Sequence, residues 1–145
     1  MTITNDRAQT SQTVSADELT IAGITEPVVL RYFETMNAEN YEATADLFAD
    51  TGAMHPPFEQ PITGTEAIAT YLKTEAKGMQ LLPREGIAES LADDQTQFQV
   101  SGKVQTPLFG VNVSWIFVLS SEKEILYAKI KLLASPQELL SLRRS

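Results

Sequence analysis

Two aromatic donors stand out among the residues equipped to do chemistry. Tyr32, in "VLRYFETMN", and Trp115, in "NVSWIFVLSS", each join a large apolar ring to a single polar hydrogen, and Trp115 is the only indole in the 145-residue chain. Buried rings of this kind need a partner for O–H or N–H, either a nearby backbone carbonyl or a carbonyl supplied by a ligand. Nucleophilic catalysis has little to draw on. There is no cysteine, and no serine sits in a Gly-x-Ser-x-Gly turn. The one histidine, His55, precedes Pro56 and Pro57 and cannot by itself build an imidazole-based zinc site, so no catalytic residue and no metal set is assigned. Most carboxylates fall where solvent is expected. Glu59, in a proline-rich loop, is either a surface acid or one that approaches a pocket.

These donors must be positioned by the elements around them. In "TEPVVLRYFETMN" Thr25 is placed to cap, Pro27 suits a first turn, and Val29, Tyr32, Phe33 and Met36 share one helical face. A second helix, "ENYEATADLFADTG", aligns Tyr41, Ala45 and Phe48 and is expected to end near Gly52. A third, "TEAIATYLKTEAKG", aligns Ile68, Tyr71 and Leu72 before Gly78. Between these two, "GAMHPPFEQPITG" carries three prolines and two glycines, which predicts a fixed loop or edge strand. From about residue 79 the period becomes two. One predicted strand faces Phe98, Val100, Gly102 and Val104 one way, and a second does so with Val111, Val113, Trp115, Phe117 and Leu119. After the turn "SSEKE", a third aligns Leu126, Ala128, Ile130 and Leu132.

Both ends are expected to be simpler. Residues 1–14 read as a flexible tail, leaving 15–145 as one domain. Ser15 and Glu18 form a capping-box pattern for a short lead-in helix stopped by Gly23. "SPQELLSLRR" predicts a closing helix capped by Ser135, with Pro136 first, Glu138 completing the box, and Arg143 and Arg144 at the favourable end of the dipole. Helices followed by long antiparallel strands define an α+β plan. A twisted sheet wrapped around such helices forms a cone with an apolar interior. The formal charge of −8 argues against nucleic acid or anionic membrane as main partners. The sequence shows no leader or spanning stretch, so a cytoplasmic location is expected.

Several stretches in order, "VLRYFETMN", "MHPPFEQPITG", "GKVQTPLFG", "WIFVL" and "IKLLASPQELLSLRR", resemble the C-terminal domain of the orange carotenoid protein family of cyanobacteria. The resemblance runs from about residue 25 onward and includes nothing like that family's helical N-terminal domain. It implies an NTF2-like cone: a curved, mostly antiparallel sheet around three helices, with short terminal helices. It also implies a free-standing carotenoid carrier, with Tyr32 and Trp115 donating to the 4-keto oxygen of a keto-carotenoid such as canthaxanthin or echinenone. The implied apolar tunnel comprises Met36, Met79, Leu81, Phe117, Ile130 and Leu132. Glu75 and Leu108 fall at partner-docking positions, Leu108 replacing a family tryptophan and Lys131 a family acid, so docking to a helical carotenoid protein is expected to be altered.

Magnitudes divide the labour. A neutral hydrogen bond contributes about 0.5–1.5 kcal/mol net, whereas burying about 400 Å² of polyene gives on the order of 10 kcal/mol at ~25 cal/mol/Å². The wall would supply affinity and the donors orientation. A domain of this size has a radius of gyration of roughly 15 Å, so one cone shelters only part of a carotenoid. A twofold homodimer around the pigment is therefore expected, with transient membrane contact during uptake, transfer to a helical carotenoid protein, and photoprotection by singlet-oxygen quenching. Two other readings compete. An enzyme of the ketosteroid isomerase or polyketide cyclase kind shares the cone and needs a buried carboxylate base, for which only His55 and Glu59 are available. A ligand-free interaction module predicts a small or collapsed cavity and no pigment binding.

Overall fold

The computed structural model describes residues 19–133. The tail, the Ser15–Glu18 capping box and the closing helix lie outside the described residues. Three helices, α1 (Pro27–Asn37), α2 (Tyr41–Ala45) and α3 (Thr65–Glu75), pack against one six-stranded sheet. Its strands are β1 (Phe48–His55), β2 (Ile62–Thr63), β3 (Gln80–Ser90), β4 (Thr96–Gln105), β5 (Gly110–Leu119) and β6 (Ile125–Leu133), in the order β2-β1-β6-β5-β4-β3. All pairs are antiparallel except β1 with β6, which is parallel. This is the expected α+β plan.

Helix α1 forms as its pattern predicts, burying Val29, Tyr32, Phe33 and Met36 with Pro27 in the first turn. The cap is Glu26, not Thr25: its carboxylate accepts the Val28 N–H at 3.2 Å, satisfying an orphan donor of the first turn. At the other end Asn37 is bonded both ways to the backbone of Leu81. Its Nδ2 donates to the carbonyl at 2.9 Å, and its Oδ1 accepts the N–H at 2.7 Å. That pair of hydrogen bonds fixes the exit of α1 against the start of β3.

The second helix stops far short of Gly52. Asn40 caps α2 and Ala45 ends it, after which Phe48–His55 is a strand. Tyr41, Ala45 and Phe48 do all become buried, but through two different elements. Pairing with both β2 and β6 overrides the helical period, and Gly52 permits it: a Cβ there would lie 2.6 Å from the Ile125 carbonyl oxygen. The lead-in helix is likewise absent from its described part. Ile21–Ile24 is a tight turn in which the Ala22 N–H donates to the Arg84 carbonyl and the Gly86 N–H to that of Ala22. Backbone bonds to the edge of β3 replace those of a helix.

The inner face of the sheet follows the predicted alternation in β4 and β5. In β6 one position differs. A register shift pairs Val118 with Tyr127 and then Leu119 with Ile125, so Ile125 takes the buried place expected of Leu126. Three rows of side chains cross this face. Phe98, Phe117 and Ala128 form one, Val100, Trp115 and Ile130 the next, and Gly102, Val113 and Leu132 the third.

Candidate functional site

Between α1, α3 and the inner face lies a cavity of about 280 Å³. The α1 pattern that buries Tyr32 also places Met36 one turn onward on the same side. The period of β5 sends Val113 and Trp115 to the inner face, and β6 adds Ile130 and Leu132 beside them. Met79 and Leu81, where β3 begins, and Met54, Pro56 and Pro57, where β1 ends, complete much of the wall.

The two donors are held by an aromatic cluster. Phe33 meets the Trp115 ring edge to face at 4.8 Å between centroids and the Tyr32 ring at 5.3 Å. Phe117 meets Tyr32 at 4.9 Å and Phe33 at 5.8 Å in the same geometry. Such contacts fix ring planes as well as positions. Tyr32 and Trp115 are almost wholly shielded from solvent, yet both line the cavity. Among the described residues the polar side-chain atoms sealed off without a partner are Tyr41 Oη and Ser114 Oγ. Tyr32 Oη and Trp115 Nε1 are not among these, and neither donates to another described residue. Each has a hydrogen to offer at an apolar wall. Burial, reinforced by the neighbouring Tyr71 hydroxyl, pushes the Tyr32 phenol well above its ordinary range, so it stays a neutral donor.

Of the tunnel positions implied by the sequence, Met36, Met79, Leu81, Ile130 and Leu132 line the cavity. Phe117 does not. It lies one row further along β5, behind Tyr32, and is completely buried. Glu75 lines the cavity and is its one carboxylate among the described residues. Leu108 stands outside it, 87 % exposed, in a turn where Thr106 Oγ1 accepts the N–H groups of Leu108 and Phe109. That turn leaves Phe109 at the cavity wall.

His55 and Glu59 are not brought to the cavity. His55 follows the inward Met54 and so faces outward, its Nδ1 sharing a hydrogen bond of 2.8 Å with the Tyr127 hydroxyl. Glu59 is exposed and accepts from the Tyr71 hydroxyl at 3.1 Å. Burial, then the bond to Glu59 and the charges of Glu59 and Glu75, push the Tyr71 phenol up to about 12. Tyr71 itself lines the cavity, and its role was not legible beyond its helical period. Met54, Thr106 and Phe109 also went unassigned; the inward parity of Met54 on a strand was the one available signal. Among the described residues no cluster of three or more His, Asp or Glu suits a metal, and no helix is long and apolar enough to cross a membrane.

Cone, cavity and inward donors define a class, and residues 24–130 match the nuclear transport factor 2 (NTF2) domain. The chain belongs to that family. It is also a homologue of the orange carotenoid-binding protein: it is 40 % identical to that of Synechocystis over 136 residues, 91 % of this chain and 43 % of the relative. The matching part of the relative is its C-terminal domain. Among solved structures, the Anabaena (Nostoc) orange carotenoid protein binding canthaxanthin is 41 % identical with a TM-score of 0.79, covering 88 % of this chain and 42 % of that one. The chain thus spans less than half the length of either relative. An epoxide hydrolase/cyclase-like enzyme of salinomycin formation, 16 % identical with a TM-score of 0.57, shares the fold alone. Both relatives near 40 % identity are named as carotenoid-binding proteins.

Proposed function

We propose that this protein is a non-enzymatic keto-carotenoid carrier that takes one end ring of the pigment into the cavity, where Tyr32 and Trp115 donate to the ring's keto oxygen. The observation that carries this reading is the pair of donors without a partner among the described residues, at an apolar wall and set by edge-to-face rings. A cavity of about 280 Å³ lies just below the usual range of ligand sites, roughly 300–1,000 Å³, which suits an end ring rather than a whole carotenoid. The rest of the rod must be covered by something else. A second copy mouth to mouth meets that need, and Leu108, Phe109 and Leu132 supply exposed apolar surface. Glu75 and Leu108 mark where a helical carotenoid protein would dock to receive pigment. In this scheme the protein works in the cytoplasm, touches membranes only while loading, and protects through the pigment it holds. The two bases available to the enzyme reading, His55 and Glu59, lie outside the cavity, and Glu75, its one carboxylate among the described residues, is exposed where that reading needs a buried base.

Co-expression in a canthaxanthin-producing bacterial strain tests this directly. The expected product is a coloured, dimer-sized protein with a red-shifted visible band. The Tyr32→Phe, Trp115→Phe double variant should be bleached or blue-shifted. A colourless wild type overturns the reading.

A further inference from the structure

Three of the four methionines in the chain, Met36, Met54 and Met79, line the cavity. Met79 is half-buried, while Met36 and Met54 are buried within the cone. Leucine would fill similar volumes at little cost. What methionine adds is a thioether that can be oxidised, in a chain that offers no thiol.

We propose that Met36, Met54 and Met79 form a sulfoxidation site through which peroxide empties the cavity, with Met36 as the effective switch. The proposal rests on the ligand-binding reading above and deepens it into regulation. Hydrogen peroxide is small enough to enter the unfilled cavity. The thioether sulfur attacks one peroxide oxygen, forming the S–O bond as the O–O bond breaks. The sulfur loses two electrons, and the second oxygen leaves as water with both hydrogens. A flexible apolar side chain becomes a polar one carrying a strong acceptor.

The position of Met36 gives that acceptor a target. It lies four residues beyond Tyr32 on the buried side of α1, so both side chains reach the same part of the wall. A sulfoxide oxygen there needs a donor, because an unpartnered polar group at an apolar wall is costly. Of the side chains that line the cavity, Tyr32 and Trp115 are donors with no hydrogen-bond partner among the described residues. Oxidation therefore both roughens the apolar wall and occupies the hydrogen bond meant for a ligand carbonyl. A bound ligand, by filling the cavity, shields the same sulfur atoms.

The test uses the full chain, empty and pigment-loaded, treated with graded hydrogen peroxide. Peptide mass spectrometry locates each added oxygen, with Met1 read separately, and Nile red fluorescence reports the empty cavity. Oxygen should appear at Met79 before Met36. Nile red binding should weaken ~10-fold or more as Met36 is converted, and methionine sulfoxide reductases A and B should restore it. Pigment should slow the conversion and be released as it completes. A Met36→Leu variant should keep a larger fraction of its own initial dye signal after peroxide than wild type does. Unchanged dye binding after conversion of Met36 overturns the proposal, as does loss of binding accompanied by loss of far-ultraviolet dichroism, which is unfolding. Failure of the untreated protein to take up pigment counts against the carrier reading alone, since the dye series still decides the chemistry.

Discussion

The closed end and the mouth of the cavity are built on opposite terms. At the closed end Tyr32, Phe33, Trp115 and Phe117 are at most 2 % exposed and lock one another edge to face. At the mouth Phe109 and Leu132 are 56 % and 44 % exposed, with Leu108 just outside. A rigid interior costs nothing to reorganise when a ligand arrives, so it suits the setting of orientation. An exposed apolar rim suits exchange, because whatever covers it must also be able to leave. The carrier proposed above would need both.

The sharpest way to break this contrast is to empty the closed end. Phe33→Ala should cost about 3–5 kcal/mol of stability, read as a lowered urea midpoint, while Leu108→Ala should stay within about 0.5 kcal/mol. Equal effects would dissolve the distinction. Next in size, Tyr32→Phe removes one donor and keeps the ring. Loss of about 0.5–1.5 kcal/mol should weaken keto-carotenoid binding roughly two- to tenfold and shift its colour to the blue. A carotenoid lacking the keto group should not register the change. A smaller effect is expected in alkali. Tyr71 has a raised folded-state pKa, so the folded protein holds a proton that the unfolded chain gives up near pH 10. Its contribution is complete below that value and is lost as pH rises toward about 12. Tyr71→Phe should therefore flatten part of the fall in stability above pH 10. The smallest effect belongs to Glu59→Gln, which keeps an acceptor for the exposed Tyr71 hydroxyl. Stability should move by no more than about 0.5 kcal/mol, and ligand affinity should not change; a large loss of binding would return Glu59 to the site.

What the sequence disclosed follows from periods. The face of α1 and the alternation of β4 and β5 were readable because each element has one wet and one dry side. Strand β3 was not, since "QLLPREGIAES" buries only Leu81 and Pro83 and breaks register between Pro83 and Glu85. The helix at Tyr41 was overextended because a partner strand more than seventy residues onward decides where it ends. Trp115 and Phe117 share a parity, and parity cannot say which row a helix covers. The resemblance supplied roles that pattern alone left open, and packing separated the wall residue from the one behind it.

The parallel seam between β1 and β6 joins residues as distant in the chain as His55 and Lys129. Closing so large a loop is slow, and it comes late among the events of folding. The wall that carries Ile130 and Leu132 therefore cannot exist while the chain is still emerging from the ribosome at β5. A ligand cannot find that wall before β6 has been made. Whatever enters the cavity meets a finished polypeptide, and the supply of that ligand can be timed independently of protein synthesis.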